Sequence, residues 1–385
     1  MILSAIRPHG LVLELDDVCV LIGENNAGKS TVLDALRICL TRSFTRKSTI
    51  FDEYDYFLDG ATADPKSAPP IILTMTFQER QEDEWPDEIS QRLDAAIQVS
   101  GIIRSVTMRI RSEFDVSTGD FTTDYDFLDL AGKLLLKAKN PRILIGLQQL
   151  VPTFYLASLR DAAQEFRAKS QFWGPFVRSL SLDDAARQEI ETALAELNKK
   201  VLDGHAAFET IKTHLKKAAE LIPLGVEPVH IEAMPSRAFD ILARTQVSLS
   251  STSGARIPIT RHGNGTQSLA VICLFDAFLN ARLSSAYGEF AEPLLALEEP
   301  ESHLHPSAAK AVGELLQSLS GQKVITTHSG DLLAGVPLTK LRRLRRKGSD
   351  ICVFQLEDGI LDADEIAKLN YQIRATRGSL LFSRC

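Results

Sequence analysis

Apolar positions alternate with polar ones from Leu11, break at Asp16-Asp17, and resume as an almost unbroken apolar run to Ile22 (LVLELDDVCVLI). This pattern predicts two strands joined by an acidic turn. The second strand runs into a glycine-containing loop and then into STVLDALRICL (Ser30–Leu40), whose apolar residues recur at helical spacing, giving strand, loop, helix. After a Pro/Ala/Ser loop at 61–70, β-branched alternation returns over 71–78 and 101–116, which predicts a small antiparallel sheet. The period then lengthens. Ala186, Ile190, Ala193, Leu197 and Val201, and again Phe208, Ile211, Leu215, Ala218 and Ile222, recur every three or four residues, with Asp203-Gly204 as the break. A helical hairpin or small bundle is predicted there. From Val229 the α/β rhythm resumes: strands over 230–235 and 245–251, a glycine-rich turn at 263–265, a helix from Thr266 to Arg282, and buried strands over 293–299 and 323–329. Strands alternating with helices predict a mainly parallel sheet covered on both faces.

These changes of period divide the chain into a first α/β part (1–157), a helical insertion (158–223) and a second α/β part (224–385). The middle segment reads either as core-filling helix or as an inserted module, and its position between two strand-rich parts favours the module. At that length it is too short for long coiled-coil arms. With 385 residues, 44% of them apolar, the chain has enough material for sizeable cores. Its net charge of −7 requires that any nucleic-acid contact use a local basic patch or a divalent cation. Cys19, Cys39, Cys273, Cys352 and Cys385 include no CxxC pair, which argues against a zinc knuckle or disulfide framework and fits a reducing cytoplasm. The first residues lack a basic stretch followed by an apolar core, and the longest apolar stretch, 143–156, is interrupted by Gln148, Gln149 and Pro152. Neither secretion nor membrane spanning is expected.

Between the second strand and its helix stands Gly23-Glu24-Asn25-Asn26-Ala27-Gly28-Lys29-Ser30-Thr31, which fits G-x-x-x-x-G-K-[ST], the Walker A loop. Its glycines let backbone N–H groups converge on phosphate oxygens at a helix start. Lys29 is placed to reach the β and γ phosphates, and Ser30 to ligate Mg²⁺. Far downstream, LLALEEP (294–300) is an apolar strand ending in two adjacent carboxylates. Glu298 is assigned to the Mg²⁺ shell, ordinarily the task of an aspartate, and Glu299 to polarising the attacking water as general base. VITTHS (324–329) ends a further strand with His328, which is placed to bond the γ-phosphate and the attacking water. RHGNGTQS (261–268) opens a helix, and Gly263, Gly265, Thr266 and Ser268 read either as an anion site of the signature-loop kind or as an ordinary helix cap.

Together and in this order, these four motifs resemble the ABC-type ATPase heads. GENNAGKST, ALEEPESHLHP, VITTHS and YLASLRD (155–161) more closely resemble the OLD (overcoming lysogenization defect) family of ATP-dependent endonucleases, over essentially the whole chain. The resemblance implies a P-loop NTPase of ABC-head type: a mainly parallel sheet flanked by helices, a small antiparallel sheet, and an inserted helical dimerisation module. It also implies a dimer with ATP and Mg²⁺ held between Walker A of one subunit and the signature loop of the other, and Gln78 as the Q-loop residue near the metal. The activity it implies is hydrolysis of ATP to ADP and phosphate, controlling DNA binding or cleavage, with anti-phage defence as the role.

OLD proteins also carry a C-terminal Toprim nuclease with a glutamate and a D-x-D pair. Asp362-Ala363-Asp364 is a D-x-D with only a short segment after it and no partner glutamate, so a chance match is expected. Nuclease chemistry is therefore expected only if a Toprim domain or separate effector supplies it. The run Lys340-Leu341-Arg342-Arg343-Leu344-Arg345-Arg346-Lys347, with six positive charges, reads as a DNA phosphate track or as a strand or turn at the sheet edge whose solvated charges block aggregation. Two other functions remain open: an SMC-like DNA repair or recombination ATPase, and a non-hydrolysing scaffold using ATP as structural glue.

Overall fold

The computed structural model describes residues 2–5, 10–41, 50–60, 62–157, 182–204, 207–211, 232–242, 247–250, 254–302, 304–333, 336–348, 350–356 and 359–376. The chain forms two compact units, Met1–Arg160 together with Gly263–Cys385, and Asp161–His262.

The first unit is built on two sheets. The antiparallel one contains β1 (Ile2–Ala5), β2 (Leu11–Glu14), β4 (Ile71–Gln78), β5 (Ile97–Ser100), β6 (Ile103–Asp115) and β7 (Asp120–Leu128), in the order β2-β1-β4-β6-β5 with β7 also on β6. The other contains β3 (Val18–Gly23), β8 (Thr153–Leu156), β11 (Leu294–Glu298), β12 (Gln322–Thr326), β13 (Leu341–Lys347) and β14 (Asp350–Gln355), in the order β14-β13-β3-β12-β11-β8. All its pairings are parallel except β13 with β14. The expected α/β architecture, a mainly parallel sheet accompanied by an antiparallel one, is thus the observed fold, with six strands in each sheet among the described residues.

Helix α1 (Lys29–Thr41) lies between the sheets: its Val32, Leu33, Leu36, Cys39 and Leu40 share one core with Leu73, Met75, Met108 and Ile110 of the antiparallel sheet and Cys19, Leu21, Ala296 and Val324 of the parallel one. Burial on both sides explains why β11 is apolar without alternation. On the far face of the parallel sheet Phe154 packs edge-on against Phe275, Phe278 and Tyr287 of α6 (Asn264–Tyr287). The remaining helices of this unit are α2 (Asp87–Leu93), α3 (Pro141–Leu150), α7 (Pro306–Ser318), α8 (Gly330–Leu333) and α9 (Ala363–Ala375). The apolar stretch 143–156 divides into α3 and β8, and no helix among the described residues is long and apolar enough to cross a membrane.

The second unit carries α4 (Asp184–Asp203), α5 (Ala238–Leu242), β9 (Ser248–Ser250) and β10 (Arg256–Pro258). The Asp183 carboxylate accepts the Ala186 N–H to cap α4, and Gly204 ends it, as the Asp203-Gly204 break predicts. Residues 158–181 and 212–231, which include Leu215, Ala218 and Ile222, lie outside the described residues. Two expectations are corrected here. The strand at 230–235 is absent over its described part, 232–235, because the Asn198 side chain takes both the Met234 N–H and its C=O, at 2.9 and 3.0 Å, and Pro235 has no N–H to offer. The strand expected at 245–251 is present over its described part as β9, but it pairs antiparallel with β10 in a separate two-stranded sheet, and the unit it belongs to reaches His262 where the insertion was expected to end at 223.

Candidate functional site

β3 delivers the chain into the Walker A loop through positions with little alternative. At Gly23 (φ +153°) a Cβ would lie 2.3 Å from the Leu344 carbonyl oxygen of the neighbouring β13. At Gly28 (φ +92°) it would lie 2.6 Å from Ile351 Cδ1 of β14. Asn26 also takes a left-handed conformation, at φ +63°. Ala27 is buried and its N–H donates to the Glu24 carbonyl, which folds the loop over the start of α1 and leaves Asn25, Asn26, Ser30 and Thr31 exposed. Lys29 is 7% exposed, and its ammonium donates to the carbonyls of Gly23 (2.9 Å) and Glu24 (3.0 Å). Burial lowers its pKa, opposed by the charge of Glu299.

β11 brings the two adjacent acids to this loop. Glu298 accepts from Ser30 Oγ on one carboxylate oxygen (2.5 Å) and from the Tyr155 hydroxyl on the other (2.9 Å). Burial, then the Glu298 carboxylate, push the Tyr155 phenol well above its ordinary range, so it stays a donor. Glu299 turns the chain in a left-handed conformation (φ +42°), with its N–H donating to the Thr326 carbonyl of β12 at 2.9 Å. Its side chain accepts from Ser302 Oγ at 3.2 Å and lies 3.8 Å from His328 Nε2. β12 ends at Thr326, so His328 stands just beyond the strand. Burial and then Lys29 lower its pKa, against the raising effect of Glu299, which makes the neutral imidazole the form present at pH 7. Buried Glu301 accepts from Thr327 Oγ1, which in turn accepts the Ser329 N–H, so the residues flanking His328 are tied to the turn after β11. Burial raises the Glu301 pKa, and its Oε2 is buried without a hydrogen-bond partner.

The structure therefore brings Lys29, Ser30, Glu298, Glu299 and His328 together. It treats the other expected residues differently. Gln78 lies on the face of β4 carrying Thr74 and Thr76, where it lines a cavity of about 440 Å³ with Ser105, Thr107 and Asp129, while Leu73 and Met75 on the opposite face enter the core around α1. A strand's period of two puts Gln78 on the wrong side of the sheet for the metal position. At 263–268 the helix begins at Asn264, not Thr266, and Gly263 (φ −64°) is its N-cap with no capping side chain. Gly263 and Thr266 are exposed and Gly265 is half-buried, but Ser268 is 1% exposed and is one turn inside α6, so it is a core residue and not an anion ligand.

Asp362 belongs to a reciprocal cap of α9: it accepts the Glu365 N–H while Glu365 accepts its own. The basic run is β13, an interior strand rather than a sheet edge, and Arg342 is buried against Asp16 at 3.0 Å. Its exposed charges are Arg345, Arg346 and Lys347, beyond the Leu344–Gly23 pairing. Reading the motifs alone missed Tyr155, Glu301, Ser302 and Thr327. Tyr155 stands in YLASLRD, of which 158–161 lie outside the described residues, and only the pairing of β8 with β11 reveals its role.

Comparison with known proteins adds relatives to this geometry. The uncharacterized protein YbjD of Escherichia coli K12 is 27% identical over 385 residues, covering 97% of this chain and 66% of its own length. The Old nuclease of Escherichia phage P2 is 23% identical over 332 residues, covering 82% of this chain and 53% of its own length. The chain thus spans under two thirds of the one and about half of the other. Similar solved structures include the Smc head domain with an extended coiled coil bound to the C-terminal domain of ScpA, derived from Pyrococcus furiosus (TM-score 0.49, 14% identity, 97% of this chain and 98% of that one). The SMC head domain from Thermotoga maritima is another (TM-score 0.42, 13% identity, 92% and 98%). A family model described as protein of unknown function, DUF2813, matches residues 8–380, and since that is nearly the whole length, the chain belongs to the DUF2813 family.

Proposed function

We propose that this chain is an ATP-binding and ATP-hydrolysing module that dimerises around nucleotide and controls a nuclease acting on DNA. One observation carries the reading: Ser30, the first hydroxyl after the Walker A lysine, meets Glu298 at the end of β11 at 2.5 Å, with Lys29, Glu299 and His328 around them. The donor set fits Mg²⁺, which takes hard oxygen ligands from one or two side chains plus substrate phosphates. Ser30 and Glu298 would hold it, and when bound it would neutralise charge on the phosphate oxygens. Lys29, now on the Gly23 and Glu24 carbonyls, exchanges those acceptors for phosphate oxygens. Glu299 takes the proton of the attacking water, and neutral His328 beside it orders that water and the terminal phosphate.

The Old nuclease similarity supports the coupling to DNA cleavage, and exposed Arg345, Arg346 and Lys347 beside the loop support a phosphate contact. Cleavage is assigned to a partner nuclease domain. The open N-terminus of α6 at Gly263 and Thr266 is the surface proposed to meet nucleotide on a second subunit. In the other unit, Leu197 (46%) and Ile211 (48%) are exposed apolar residues, which suits a helical dimerisation module. Steady-state ATP hydrolysis with and without duplex DNA tests the whole reading. Turnover is expected in the wild type, no nucleotide binding in Lys29→Ala, and an ATP-bound dimer without turnover in Glu299→Gln. Wild-type turnover no higher than that of Lys29→Ala would leave ATP a structural ligand.

A further inference from the structure

Where Walker B strands ordinarily end in an aspartate, this one presents Glu298, and the structure contains a partner suited to the longer side chain. Tyr155 on β8 is the parallel neighbour of Ala296, so it shares a sheet face with Ala296 and Glu298. Its hydroxyl donates to Glu298 Oε2 at 2.9 Å while Ser30 Oγ holds Oε1 at 2.5 Å. Each carboxylate oxygen is therefore fixed by a separate element, one by α1 and the other by β8. The ring is itself held: the Arg37 guanidinium carbon sits 5.2 Å from its centroid, and Arg37 is anchored by Asp34 at 2.8 Å, one turn away on α1. An aspartate is shorter by one C–C bond, roughly 1.5 Å, and could not satisfy both contacts.

We propose that Tyr155 is a positioning residue that fixes Glu298 for Mg²⁺·nucleotide, and that the pair Tyr155–Glu298 replaces the ordinary aspartate as a matched unit. This rests on the nucleotide-binding reading above. The test is calorimetric titration of the non-hydrolysed analogue AMP-PNP across a Mg²⁺ series for the wild type, Tyr155→Phe, Glu298→Asp and the double variant. In Tyr155→Phe the half-saturating Mg²⁺ concentration should rise about tenfold, the usual scale for losing a partner of a metal ligand, while AMP-PNP binding in excess EDTA stays at the wild-type level. In the Glu298→Asp background the same change should add almost nothing, because the contact is already lost. A Tyr155→Phe curve superimposed on the wild type, or an equal tenfold shift in both backgrounds, overturns the positioning role. No AMP-PNP binding by the wild type at any Mg²⁺ concentration would instead remove the nucleotide reading, and this inference with it.

Discussion

Glu301 illustrates how a single carboxyl can be placed for geometry at a cost in stability. It is nine-tenths buried, accepts from Thr327, and leaves one oxygen buried without a partner. Its folded pKa is raised above the ordinary value of 4.5, first by burial. The contribution of such a group is fully present below its unfolded pKa and is lost as pH rises through the folded one, since the unfolded chain releases the proton more readily. Glu301→Gln keeps the acceptor for Thr327 and removes the ionisation. Its Tm relative to wild type should therefore be higher at pH 8, by about 1–2 °C, and the advantage should vanish near pH 5 in paired calorimetric scans. Lys29 and His328 show the same environment acting on bases: burial lowers both, with Glu299 opposing.

The elements differ in how far their sequence revealed them. β3, α1, β4 and β11 were legible for different reasons: α1 repeats its apolar residues every three or four positions, β4 alternates, and β3 and β11 are short apolar runs ended by a glycine and by adjacent acids. β1, β5 and β7 were not: four residues, or a strand such as DFTTDYDFL with polar residues facing solvent, carry too little apolar signal. α6 starts two residues ahead of the position its sequence predicts, because two glycines usually mark a turn, yet Gly265 is helical here and no residue at 263–265 needs positive φ. The site divides along the same line. Local motifs disclosed Lys29, Ser30, Glu298, Glu299 and His328, whereas Tyr155 is separated from Glu298 by 143 positions and meets it only through strand pairing. Gln78 failed for a related reason, since following a strand does not say which face the side chain takes. The loop depends on its neighbouring strand as well. Gly23→Ala should cost about 3 kcal/mol or more in urea unfolding, because the added Cβ collides with backbone of β13 rather than with a movable side chain.

Across the whole molecule, the residues gathered at the loop all come from the first unit, on strands interrupted in sequence by Asp161–His262. The insertion thus leaves the parallel sheet intact, with β8 before it and β11 after it paired side by side. The backbone at Glu299 has a consequence for the stability of the entire chain. A bulky residue at φ +42° is held in a conformation that asparagine adopts far more readily. Replacing Glu299 by Asn should raise the thermal midpoint by about 2 °C, through about 1 kcal/mol of relieved strain, while turnover disappears. On the hydrolytic role proposed for Glu299, the DUF2813 chain would then be an example of a protein kept below its stability optimum by the demands of activity, with a single residue marking where the two requirements conflict.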